Sequence, residues 1–134
     1  MDNEQPPKDI AKNGVLLLTS FVAAQNQFRI YHWQTRSFSQ HEAFGKTYES
    51  LSEHVDEFIE VFMGKYGRII ADTAFNFTLQ NYSEAALVYA DRFEEFLVDM
   101  VPAMLDPTDD TDLLNIRDEI LAAVNKLQYL LTLS

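Results

Sequence analysis

Cysteine is missing altogether from this 134-residue chain, which excludes disulfides, zinc–thiolate sites and thiol nucleophiles. Glycine and proline are scarce, at four each. The prolines sit at positions 6, 7, 102 and 107, leaving long stretches in which helices run uninterrupted. Basic residues are also few: ten Lys and Arg against 21 acids give a formal net charge of −11. Duplex nucleic acid is held chiefly through Lys and Arg, so this balance disfavours it as a partner. Divalent cations are attracted instead wherever carboxylates converge. No apolar run is long enough to cross a bilayer, and the opening residues, Met1 to Gln5, lack the basic start of a signal peptide. The expectation is a soluble protein of the cytoplasm or, for a viral chain, of the host cytoplasm or virion.

What the chain does have is apolar mass arranged with a helical period. The apolar fraction is 47%, with ten Phe and six Tyr, enough to fill the core of one domain over residues 1–134. Residues 1–8 read as a flexible lead-in. A first helix is expected over about residues 9–32, where Ile10, Leu17, Phe21, Ala24 and Phe28 recur at steps of three, four and seven. Val15, Leu16, Leu18 and Val22 widen that stripe, as in a helix covered on more than one side. Gly14 costs roughly 1 kcal/mol against Ala inside a helix and weakens its first turns.

Ser39 and Glu42 have the spacing of a capping box, placing a second helix at about residues 40–65. Residues 66–80 are too apolar for a solvated linker and too long for a hairpin turn. They read as a crossover carrying a short helix, with a β-strand over residues 74–79 as the rival. Asn81 to Glu84 offer another capping box for a third helix, about residues 82–104, with a stripe of Ala86, Tyr89, Phe93, Phe96, Leu97, Met100 and Met104. After a turn at Asp106 to Asp110, a fourth helix spans about residues 111–132. The expected fold is all-α: a four-helix bundle whose second and third helices run parallel because a long crossover joins them.

Two histidines, His32 and His41, flank the first turn of the chain. Helix two then carries Glu49, Glu53, Asp56 and Glu60 at steps of four, three and four, along one side and with no Lys or Arg among them. Such a stripe is either a plain solvated face or a place where cations collect. Asp56 stands 15 residues beyond His41, about 22 Å along a helix axis. One chain therefore cannot bring both to a single metal ion. A twofold dimer, with helix two against its mate in the opposite direction, can do so twice. His, Asp and Glu together suit iron, and manganese or zinc as well. The bland reading makes His32 a packing residue beside Trp33 and His41 a solvent-exposed one. His54 points away from Asp56 and Glu60 and is expected to be peripheral.

His32-Trp33, His41-Glu42, Asp56 and Glu60 resemble, in type and interval, the metal-site residues of the Dps-like branch of the ferritin superfamily. The resemblance covers roughly residues 28–64. It implies a ferritin-like bundle with an inter-subunit ferroxidase site, made by His32 and His41 of one subunit and Asp56 and Glu60 of another. It further implies oxidation of ferrous iron, often by hydrogen peroxide, and a twelve-subunit shell. Trp33 would lie beside the metal, and Glu49 and Glu53 are further acids within reach of the pattern. Gly45 departs from that family, which commonly has an Asp there. The loop between the histidines is shorter by about three residues, and no basic tail of the kind some members use on DNA is present. The stretches around His32 to Arg36 and Gly64 to Gly67 also look like small, uncharacterised ferritin-like proteins of large phages and algal viruses. Three readings stay open: a ferroxidase, a metal-binding protein without turnover, and a purely structural viral protein.

Overall fold

The computed structural model describes residues 9–133, and the expected lead-in over residues 1–8 lies outside them. Helix α1 (Ile10–Gln34) starts at Asp9, whose Oδ1 accepts a hydrogen bond from the Lys12 amide at 3.0 Å. Its buried face is Gly14, Leu17, Phe21, Ala24, Gln27, Phe28 and Tyr31. Gly14 does not loosen the helix. A Cβ there would lie 3.0 Å from the Phe62 ring and 3.1 Å from Ile69, so glycine is what lets those two side chains close on α1.

Helix α2 (Phe38–Tyr66) begins two residues earlier than the Ser39–Glu42 spacing predicts. Ser37 is the cap, its Oγ accepting from the Gln40 amide at 3.2 Å, while Ser39 Oγ bonds Ser37 Oγ. Gly67, at φ 94°, ends the helix by donating its amide to the Met63 carbonyl. Residues 67–84 then form the crossover, with neither the short helix nor the strand that their apolar character invited. It runs back along α1: Ile69 sits by Gly14, Gln80 by Gln27, and Tyr82 by Tyr31. Gln27, 1% exposed, holds it by pairing both amide atoms with the Gln80 backbone, at 2.7 and 2.8 Å.

The third rod is α3 (Ala85–Glu95), a π-helical turn (Phe96–Met100) and the short α4 (Val101–Ala103). It descends beside α1, with Tyr89 against Tyr31 and Phe28, and Phe93 and Phe96 against Phe21. It therefore runs parallel to α2. The π turn has a local cause in Pro102. The Val101 amide bonds the Phe96 carbonyl, and the next residue has no amide hydrogen to offer the Leu97 carbonyl. Arg117 Nη1 fills that vacancy at 2.7 Å. The extra residue rotates Met100 outward, to 47% exposure, and buries Val101 in its place, a departure from the stripe expected of an unbroken α-helix.

Helix α5 (Thr111–Leu131) completes the bundle, and α2 packs most extensively against α5 and α1. The core is aromatic at its centre, with Phe21 edge-on to Phe58 at 4.9 Å. Lys65 ties the end of α2 to the start of α5 through Asp112 Oδ1 at 2.9 Å and the Asp109 carbonyl at 2.6 Å. Beside it, the Tyr66 hydroxyl donates to the buried Asp110 carboxylate. The described residues thus form the all-α, ferritin-like four-helix bundle with a long crossover between its second and third rods.

Candidate metal centre

Helix α1 ends at Gln34 and α2 begins at Phe38, so His32 and His41 stand on adjoining rods at one corner of the bundle. Their rings lie face to face, 4.0 Å apart and 14° from parallel. His32 Nδ1 bonds the His41 carbonyl at 2.7 Å, and His41 Nδ1 bonds the His32 carbonyl at 2.8 Å. A carbonyl oxygen only accepts, so each Nδ1 carries a proton and donates. In the neutral rings this leaves a lone pair on both Nε2 atoms. A second hydrogen bond that fixes the tautomer in this way is characteristic of histidines that ligate metals.

Gly45 completes the arrangement. A Cβ at this position would stand 2.8 Å from both Cε1 and Nδ1 of His32, a separation that real contacts do not tolerate. The imidazole of His32 therefore occupies the space that a side chain at position 45 would need. A cavity of about 210 Å³ opens beside the pair, lined by His32, His41, Glu42, Gly45, Tyr48 and Glu49 among others. Tyr48 lies against His32 with ring centroids 5.4 Å apart. The Arg29 guanidinium sits 5.2 Å from the Tyr48 ring and 5.3 Å from the Trp33 ring, a cation–π sandwich beside the histidines. Trp33 itself is 62% exposed.

Of the acids, Glu49 lines that cavity with the histidines, and Glu53, Asp56 and Glu60 lie farther along α2. Glu49, Glu53, Asp56 and Glu60 all face solvent on α2, and none forms an ion pair among the described residues. Asp56 and Glu60 follow His41 by 15 and 19 residues, or about 22 and 28 Å of helix. Among the described residues, no three His, Asp or Glu side chains of one chain are placed to hold a metal ion. The fold brings together the two histidines and holds the two acids apart from them. His54, expected to be peripheral, is partly buried, and its Nδ1 is enclosed without a hydrogen-bond partner. Arg29 and Tyr48 were not singled out from the sequence. Their intervals, three residues before His32 and seven after His41, are the helical spacings that put them on the same face.

The match to known families begins at the first of these histidines. Residues 32–131 fit the model of DUF5856, a family of unknown function. The chain belongs to that family. The matched region takes in both histidines, Gly45, the acidic stripe, the crossover and the last helix, while residues 10–31 of α1 lie outside it. No curated protein and no solved structure matches the sequence. Among the described residues no helix is long and apolar enough to cross a membrane.

Proposed function

We propose that this protein binds ferrous iron as substrate, and oxidises it, at a site shared between two copies of the chain. His32 and His41 of one copy supply Nε2 atoms, and Asp56 and Glu60 of the other supply carboxylates. The observation that carries the reading is the reciprocal pair of Nδ1–H···O=C bonds, which orients two imidazoles with both free nitrogens available. The exposed, unpaired acids on α2 supply the second half: they repel one another unless a cation or a partner's positive group approaches. Imidazoles suit Fe²⁺, and carboxylates offset the charge gained on going to Fe³⁺. With hydrogen peroxide as oxidant, two Fe²⁺ ions give up one electron each, and peroxide with two protons leaves as two waters.

A second reading is metal binding without turnover, with manganese or zinc as well as iron as the ion held. It is favoured by Gly45, because the His32 ring fills the place where a further carboxylate stands in Dps-like ferritins. In either case the assembly is a twofold dimer at least, and a dodecameric shell extends the same reading. Oxidation of Fe²⁺ by air or peroxide, followed in the near-ultraviolet, separates the readings. The wild-type chain is expected to exceed the buffer rate, and His32→Ala and Asp56→Ala to lose at least about tenfold of the excess. Asp56 is exposed, so its removal leaves the fold intact. Equal rates for all three proteins and buffer would end the catalytic reading, while wild-type-only Co²⁺ or Zn²⁺ binding would keep the second.

A further inference from the structure

Between Glu42 and Glu60, α2 carries six acids but only one Lys or Arg, which is Lys46. All seven are exposed. Lys46 borders the cavity beside the histidines, with Glu42 and Glu49 a turn to either side of it. It nevertheless forms no ion pair among the described residues, and neither does Glu53. Its charge is therefore free to meet an acidic surface brought against this side of the helix. Spacing shows which part of α2 faces such a surface. His41, Gly45, Tyr48, Ser52 and Asp56 recur at steps of four, three, four and four, so one face holds both the histidine and the first of the distant acids. Lys46 and Glu53 are seven residues apart, which places them two turns from each other on a single flank of that face.

Two antiparallel rods related by a twofold axis pair their positions in opposite directions, each step up one being a step down the other. A shared site seats His41 midway between Asp56 and Glu60 of the mate, at the level of its residue 58. Five residues further along, Lys46 comes to the level of residue 53, and the twofold axis keeps the two flanks on the same side of the contact. We propose that Lys46 forms an ion pair with the partner subunit's Glu53, once on each side of the axis, and that this reciprocal pair fixes the register of an antiparallel α2–α2 contact. The inference rests on the shared-site reading, which supplies the register, and adds the side chains that hold it. Other charges along the flank work against the contact. Glu42 comes level with the partner subunit's Glu57, and the two copies of Glu49 meet at the axis. Lys46 is the only cation that α2 itself brings to this flank, so its pairing decides whether two such acidic faces stay together.

Sedimentation equilibrium of the full chain, in buffer containing Zn²⁺, tests the pair. The wild type is expected at a multiple of 15.4 kDa. Lys46→Glu sets like charges against each other twice per dimer and should raise the dissociation constant at least about tenfold. Adding Glu53→Lys exchanges the two charges and should restore the constant to within about threefold of wild type. Inside one chain the two positions stand about 10 Å apart along the helix, so this rescue has to come from a second subunit. Adding Asp99→Lys instead gives the same net charge from the third rod, which packs on α5 and α1, and should not restore assembly. All three positions are exposed, so the helical circular dichroism should not change. A wild-type monomer at every concentration, a Lys46→Glu chain that assembles like wild type, no rescue by Glu53→Lys, or equal rescue by Asp99→Lys overturns the proposal. The two readings fail separately. Unaltered assembly of Lys46→Glu beside an Asp56-dependent oxidation rate removes the pair and leaves the shared site. Rescue by Glu53→Lys beside oxidation indifferent to His32→Ala and Asp56→Ala removes the shared site and leaves the contact.

Discussion

Gly45 is the residue on which the corner turns. Its missing side chain makes room for the His32 ring, which rests where a Cβ would be, 2.8 Å from two of its atoms. Gly45→Ala should therefore swing His32 off its bond to the His41 carbonyl. A disturbed outer partner of this kind typically weakens metal affinity about 10- to 100-fold. Calorimetric titration with Zn²⁺ checks this, and an unchanged affinity would show that the ring has room to spare. The sequence made the histidines and acids legible, because their types and intervals are chemical signals. It could not convey that Gly45 is a contact, since a glycine's role is written in what approaches it. The same holds for Gly14, which read as a weak point in α1 and is where Phe62 and Ile69 close on the helix.

Elements were readable to the extent that their periodicity was simple. Helices α1 and α5 lie close to their expected bounds, because one apolar stripe runs through each without interruption. The third rod departs at Pro102, where the π turn changes the phase by one residue and exchanges Met100 for Val101 in the core. A repeat of three and four has no way to register that step. Arg117→Leu tests the account of the turn. With the Leu97 carbonyl unpaired, unfolding in urea should show a loss of roughly 1–3 kcal/mol, and an unaltered midpoint would mean water replaces the guanidinium. The crossover misled for a different reason. Its aromatics alternate as in a strand, yet side chains hold it in place of a neighbouring strand: Gln27 on the Gln80 backbone and Gln34 on the Tyr82 amide.

The junction of α2 with α5 adds a pH dependence. Burial, then the hydrogen bond and charge of Asp110, push the Tyr66 phenol up from 10.0 to about 12. The protonated form is the one the fold favours. Its contribution is complete below the unfolded value and is lost as pH rises through the folded one, over a window of pH 10 to 12. Tyr66→Phe should flatten the fall in melting temperature across that window. A slope equal to that of the wild type would assign the alkaline transition to other groups, such as Tyr89, which burial also pushes up.

At the scale of the molecule, charge is unevenly spread along the described residues: six acids stand exposed on α2, while Asn13 to Phe28 and Thr73 to Ser83 carry no charged side chain. The stripe on α2 concentrates negative charge, whereas α1 holds only Lys12 and Arg29 and the crossover only Arg68, Asp72 and Glu84. Self-repulsion of this kind is screened by salt, with a Debye length of about 10 Å at 0.1 M. Melting temperature should rise with sodium chloride, by roughly 2–8 °C for each kcal/mol of repulsion removed. Magnesium at equal ionic strength should add to that rise if the stripe gathers cations. A melting temperature indifferent to both would mean the acids are too well solvated to strain the fold.

The crossed imidazole bonds have an architectural side as well. Each ring is anchored to the backbone of the opposite rod, so the pair works as a two-pin latch holding the bend between α1 and α2 closed. An ion arriving at the latch finds its donors already aimed and pays little to order them. The same two bonds span the bend whether or not an ion is bound. On the proposed reading, the carboxylates of a neighbouring chain would turn that corner into a working centre.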